Sequence, residues 1–250
     1  MLFRCSAIAL CLLLSTGEAQ AQTKSGYLAK TDLPAIMDWV PAPPATGSIR
    51  EAADLDAYLA SRALVTEPRG ATATADNVYA PKDVILRFRD ALGFDLNDQN
   101  APRLVAVMDR VMLDEEATLA PMKQPVTSGG RIRPYVRFAS LAACPHGVDD
   151  SKYGLAKSGS YPSGHALLSW TWALLLAEAV PSRSNQLMTE GYQFGESRLV
   201  CGFHFPSDLE AGRYVASALV ARLHADTAFA RDWDRAKREI AKAERAAPPK

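Results

Sequence analysis

Apolar residues recur at three- and four-residue spacing along most of this chain, and no stretch alternates apolar and polar positions long enough to make a strand. Leu104, Val107, Met108, Val111 and Met112 share one face of the segment Pro102 to Leu119, which predicts an amphipathic helix there. Further helices are predicted over Ile49 to Leu64, Pro81 to Leu92, Ser184 to Leu199 and Ser207 to His224, with a charged, solvent-facing terminal helix over Asp226 to Ala246. From Ala166 to Val180 the sequence ALLSWTWALLLAEAV is apolar almost all round, as a buried central helix is, and Pro181 stops it. Trp170 and Trp172 on that helix are assigned to the core. Pro34, Pro41, Pro43 and Pro44 keep the segment 22–47 out of helix and make it an extended arm lying on the body. The expected fold is all-α, a single-domain helical bundle around a central apolar helix. Its expected divisions are a leader over 1–21, the Pro-rich arm over 22–48 and the helical domain over 49–250.

The leader is read from Arg4, a short apolar run from Ala7 to Leu14 and the small residues Ala19 and Ala21, the pattern of a secretory signal peptide. That run is too short to span a bilayer, and no later segment supplies roughly twenty consecutive apolar residues, so no integral membrane segment is expected in the mature protein. A periplasmic or secreted location follows. Cys5 and Cys11 leave with the leader, which makes a disulfide between Cys144 and Cys201 the natural expectation in an oxidising compartment. Formal net charge is zero and no basic run is present, which argues against a nucleic-acid partner.

Three short segments carry candidate chemistry: Arg131-Ile132-Arg133-Pro134, Pro162-Ser163-Gly164-His165, and Ser197-Arg198 followed by His204 and Asp208. The planar forks of Arg133 and Arg198 suit phosphate oxygens. Ser163 is placed to cap the central helix, whose first-turn N–H groups, with Gly164, favour an anion beside His165. His204 is a nucleophile candidate and Asp208, four residues on, can hold its other ring nitrogen. The bland readings stand beside these: Ser207 and Glu210 fit a capping box with Asp208 in the first turn, Arg198 can pair with Glu196, and Arg131 and Arg133 can be solvated charges. His146 and His224 are assigned to solvent and to a helix end. No spacing of His, Cys or carboxylates suggests a metal site, and no cofactor is expected.

Taken together and in order, these segments resemble the bacterial class A non-specific acid phosphatases, within the phosphatidic acid phosphatase type 2 and vanadium haloperoxidase superfamily. That family's pattern is Lys-x6-Arg-Pro, Pro-Ser-Gly-His, and Ser-Arg-x5-His-x3-Asp, and the resemblance extends through VPAPPATGSI, GYQFGESRLVCGFHFPSDLEAGR and VARLHAD. It implies metal-free, two-step hydrolysis of small phosphomonoesters. His204 would form a phosphohistidine, Asp208 would orient it, and Arg133, Arg198, Ser163 and Gly164 would hold the phosphoryl oxygens. His165 would protonate the leaving group, which implies activity on the acid side. Transfer to alcohols is an implied side activity.

The pattern breaks at the lysine, because the position seven residues before Arg133 is Val126. Either an insertion around Ser128, Gly129 and Gly130 loops out and returns Lys123 to the site, or the lysine role is lost and Arg131 partly substitutes. The rival readings are a soluble lipid-phosphate phosphatase, a vanadate-dependent haloperoxidase-like relative, and a phosphate-binding pseudoenzyme. A homo-oligomer is compatible with the sequence.

Overall fold

The segment that the sequence marks as apolar all round forms a helix over Gly164–Ala179, with Leu167, Leu168, Trp172, Leu175 and Leu176 buried. The structure is a computed structural model, and it describes residues 25–145 and 154–248. The expected leader, with Cys5 and Cys11, and His146 lie outside the described residues. In chain order the helices are α1 (Ile49–Ser61), α2 (Pro68–Ala75), α3 (Pro81–Arg87), α4 (Arg89–Leu92), α5 (Pro102–Leu119), α6 (Pro134–Arg137), α7 (Gly164–Ala179), α8 (Ser184–Val200), α9 (Pro206–His224) and α10 (Thr227–Ala246). There is no strand among the described residues, only a bridge between Pro125 and Ser158, so the fold is all-α and a single domain.

Helix starts follow from local chemistry. Proline at the first turn of α2, α3, α5, α6 and α9 supplies a preset φ where no N–H partner is needed. Ser48, Ser163 and Asp226 cap α1, α7 and α10 by accepting from a backbone N–H three residues on. The helix expected over 81–92 is divided: Phe88 turns the chain (φ −90°, ψ 0°) so that its ring is fully buried against Phe194. The terminal helix α10 is charged but not wholly solvent-facing. Its Phe229, Trp233, Ala236 and Ile240 form a buried stripe against α5.

The arm lies on its own body. Two single turns of 3-10 helix, Lys30–Asp32 and Ile36–Asp38, interrupt the otherwise extended chain. Asp114 accepts from the backbone N–H groups of Tyr27 (2.8 Å) and Leu28 (3.1 Å), and Ile36 and Val40 are buried.

Helices α8 and α9 both pack along α7, which brings the segments around residues 163, 198 and 204 to one end of the central helix. Close approach needs Gly212: a Cβ there would lie 2.5 Å from the Ser163 carbonyl oxygen and 3.0 Å from the Ala166 Cβ. As expected, Trp172 is fully buried and Trp170 packs against the core.

Candidate active site

The chain reaches His204 through a tight reversal. Helix α8 ends at Val200, Gly202 takes a left-handed conformation (φ 81°), and the N–H groups of Phe203 (2.9 Å) and His204 (3.2 Å) both turn back onto the Arg198 carbonyl. Pro206 then starts α9. This is why five residues separate Arg198 from His204: they form the helix end and the turn that face the two side chains into one cavity. The reversal is pinned by the Cys144–Cys201 disulfide and by Ser197, whose hydroxyl donates to Asp76 and accepts from Arg69 Nη1 (2.9 Å).

The cavity has a volume of about 640 Å³, and Lys123, Arg133, Gly164, His165, Arg198 and His204 line one part of it. Arg133 is 3% exposed and is held by the Leu155 (2.9 Å) and Ser158 (3.1 Å) carbonyls through Nε, while its Nη1 faces His204 Nε2 at 3.2 Å. A guanidinium can only donate, so Nε2 must accept and the ring proton sits on Nδ1. Asp208 Oδ2 lies 3.4 Å from that Nδ1, longer than a settled hydrogen bond, while it accepts from the Phe205 N–H at 2.8 Å. Arg198 is buried over the Phe203 ring (4.2 Å), and its Nε and Nη1 have no hydrogen-bond partner among the described residues. Burial, opposed by Tyr79, brings its guanidinium down to about 10, so it stays charged throughout the acid and neutral range.

Ser163 caps α7 through Ala166 N (3.2 Å) and is fully buried, and Gly164 opens the helix start to the cavity. His165 stands edge-on to the Tyr79 ring (4.1 Å), and its Nε2 has no hydrogen-bond partner among the described residues. Burial first, then Arg198 and the other cations, holds His165 well below the usual histidine range; burial, then Arg133 and Lys123, does the same to His204. Surrounded by protein groups alone, both rings are biased towards the neutral form. The protonated His165 expected from sequence therefore requires the charge of a bound anion.

Lys123 follows the last turn of α5, and its Nζ donates to the carbonyls of Pro162 (2.6 Å) and Ser160 (3.3 Å). Burial, then Arg133, lowers it well below the ordinary lysine value. Beyond it the chain makes a 3-10 turn over Val126–Ser128 and closes with Gly130 N–H on the Pro125 carbonyl (2.9 Å). Val126 does not line the cavity. The seven residues 124–130 thus bulge outwards while Lys123 and Arg133 face the same space.

Arg131 does not line the cavity either. It bonds Asp208 Oδ1 (2.7 Å), Asp54 Oδ2 (2.6 Å) and Ser207 Oγ (2.8 Å) on the far side of His204. Two local expectations change accordingly. The residue before the first turn of α9 is Phe205, not Ser207, and the reach-back to the backbone comes from Asp208; Ser207 is taken up by Asp54 (N–H, 2.9 Å). Arg198 makes no pair with Glu196, which binds Arg213 instead (3.0 Å). His224 ends α9 and pairs with Glu178 (3.0 Å). Sequence reasoning passed over Asp54, Asp76, Tyr79 and Glu115, which sit in ordinary helical or turn contexts far from the motifs.

Among the described residues no cluster of His, Cys, Asp and Glu has the arrangement of a metal site, and no helix is long and apolar enough to cross a membrane.

The PAP2 superfamily pattern matches residues 125–231, the stretch that carries Arg133, the α7 start, Arg198, His204 and Asp208. A non-specific acid phosphatase of Providencia stuartii is 36% identical over 203 residues, covering 81% of this chain and 79% of that one. An acid phosphatase of Zymomonas mobilis subsp. mobilis is 35% identical over 80% of this chain and 74% of its own. A non-specific acid phosphatase of Salmonella typhimurium is 30% identical over 81% and 78%. With the motifs in one cavity and this similarity running along most of its length, the chain belongs to the class A non-specific acid phosphatases of the PAP2 superfamily.

Proposed function

We propose that the protein is a metal-independent acid phosphatase that hydrolyses small phosphomonoesters through a phosphohistidine at His204. The phosphoryl group would sit among Lys123, Arg133, Arg198 and the N–H groups at Gly164, where fixed positive charge meets the charge that develops on its oxygens. The His204 Nε2 lone pair attacks phosphorus as the bond to the ester oxygen breaks, and His165 passes its proton to the departing alkoxide. Asp208 holds Nδ1–H and stabilises the imidazolium that forms. Water then attacks the phosphohistidine, giving its proton to His165 and releasing phosphate. An alcohol in the place of water would give phosphotransfer as a side reaction.

One observation carries this reading: Arg133 Nη1 lies 3.2 Å from His204 Nε2, which supports a tautomer with the Nε2 lone pair facing the cationic cluster. The bridge between Cys144 and Cys201 supports an exported protein, because such bonds persist outside the cytoplasm. The test is hydrolysis of 4-nitrophenyl phosphate at acid pH with a chelator present, together with acid-quench trapping of labelled enzyme. Chelator-resistant turnover and a trapped label, both lost in His204→Ala, are expected. Turnover that survives His204→Ala would overturn the mechanism.

A further inference from the structure

The cavity has a second part that hydrolysis of the phosphoryl group does not use. Helix α5 lines it with Met112, Glu115, Glu116 and Leu119, and the α3 start adds Asp83. Leu119 lies 3.8 Å, and the Tyr79 hydroxyl 3.1 Å, from where a Cβ on Gly164 would stand, so this part opens directly off the phosphate end. Glu115 is one helical turn before Leu119, about 6 Å along the axis, and Lys123 lies four residues beyond the end of α5. The cavity, about 640 Å³, has room for a phosphoryl group and a short carbon chain between its two ends.

Glu115 is 5% exposed, and its Oε1 has no hydrogen-bond partner among the described residues. The Thr171 hydroxyl stands beside it, close enough to favour its negative form, but neither group reaches a hydrogen bond of good geometry among the described residues. Such a carboxyl is costly to bury unless something completes it. Burial raises its pKa to about 8, against the pull of Thr171, which marks how little the protein itself offers its negative form. Towards the mouth, Asp83 and Glu116 carry no ion pair among the described residues. The cavity is therefore dipolar: cations at the end near His204, carboxyl groups along α5 and at the α3 start.

We propose that Glu115, with Asp83 and Glu116 at the mouth, forms a cation subsite for the leaving group, and that preferred substrates are phosphate monoesters of short amino alcohols. This rests on the phosphatase reading of the inner end. The ammonium supplies the donors that Glu115 lacks, and Tyr79, Leu119 and Met112 border the intervening methylene groups. A plain alkyl ester would leave Glu115 as it is.

The experiment compares 2-aminoethyl phosphate, propyl phosphate, which replaces the ammonium by a methyl group, and 2-hydroxyethyl phosphate, with 4-nitrophenyl phosphate as the control. Expected is a kcat/KM at least ten-fold higher for the amino ester than for either neutral ester, with that ratio falling towards one in Glu115→Leu. Circular dichroism and thermal melting check that the variant folds, and the double variant Asp83→Asn, Glu116→Gln supplies a second, surface route to the same collapse. A wild type that prefers propyl or 2-hydroxyethyl phosphate, or a ratio unchanged in both variants, overturns the subsite. Calorimetric binding of the same esters to His204→Ala reads the preference without turnover. If wild type hydrolyses nothing, including the control, but still binds the amino ester more tightly, the phosphatase reading falls and the subsite stands; equal binding of all three esters removes the subsite.

Discussion

At His204 and His165 the same crowding that prepares the site for an anion also sets the proton count. Burial and the neighbouring cations push both histidines down, so at mildly acid pH neither carries the proton it would carry in water. A phosphate dianion reverses the local charge and raises both, and a group whose pKa rises on binding takes up protons. Sulfate, which stays dianionic over the whole range, should therefore bind more tightly as pH falls from 7 to 5, with net proton uptake visible by calorimetry in buffers of different ionisation enthalpy; a binding heat independent of buffer would contradict this. Lys123 is the next test. A preorganised donor of this kind contributes about 3–4 kcal/mol, a hundred- to thousand-fold in rate, and Arg133 and Arg198 remain without it. Lys123→Ala should lower turnover at least ten-fold, and an unchanged rate would remove Lys123 from the phosphate site. Glu115 makes a prediction of the opposite sign, for stability. Its folded value of about 8 exceeds the ordinary 4.5, so the stability present below about 4.5 is lost as pH rises through 8, at about 1.4 kcal/mol per unit. Glu115→Gln should raise the melting temperature little at pH 4.5 and progressively more towards pH 8.

Between elements, Arg131 is the side chain that joins α1 to α9. It lies between Asp54 on α1 and Asp208 on α9, stacked on the Phe205 ring at 4.1 Å, so the carboxylate that faces His204 is fixed from outside the cavity. Removing Asp54 frees Arg131 to turn fully onto Asp208 and draw it away from Nδ1, already 3.4 Å off. Asp54→Asn is accordingly expected to lower kcat several-fold with KM for 4-nitrophenyl phosphate near the wild-type value, because the phosphate-binding cations are untouched. A rise in KM with kcat unchanged would place the effect elsewhere. The sequence made the ends of this arrangement legible and hid the middle. Pro-Ser-Gly-His and Ser-Arg-x5-His-x3-Asp announce a capped helix start and a helix-turn-helix reversal because each is a local device, and the apolar run of α7 signals a buried helix by its composition alone. Asp54 comes from 154 positions before Asp208 and reads as an ordinary charge on an amphipathic helix. Helix α2, with the sequence PRGATATA, has no apolar stripe to show; its small Gly70 and Ala73 are buried through packing on α8, which periodicity does not register. The division at Phe88 is likewise a tertiary effect, set by where that ring is buried.

Across the whole molecule, the end of the bundle that holds the site is closed by one covalent link between distant segments. Cys144 and Cys201 close 57 residues of chain, worth about 4 kcal/mol in the loop-entropy account. The bond is not alone: Arg62, from the turn after α1, donates to the Ala142 (2.6 Å) and Val200 (2.9 Å) carbonyls, and Ala73, Val200 and Phe203 pack around the two sulfurs. The reversal that presents His204 therefore has non-covalent support that survives the loss of the bond, while the unfolded chain gains the freedom of the opened loop. Two consequences separate. Stability falls, and with about 2–4 °C per kcal/mol for a protein of this size the melting temperature of Cys144→Ser should drop by roughly 5–15 °C. Activity at 25 °C should persist at a substantial fraction of wild type, because Arg133, Arg198 and His204 keep the contacts that orient them. Thermal melts and 4-nitrophenyl phosphate turnover measured side by side read both, and titration of native protein lacking the first 21 residues should find no free thiol. A variant that melts as the wild type does but loses turnover would mean that the bond shapes the site directly, and that Arg62 and the small apolar cluster do not hold the turn.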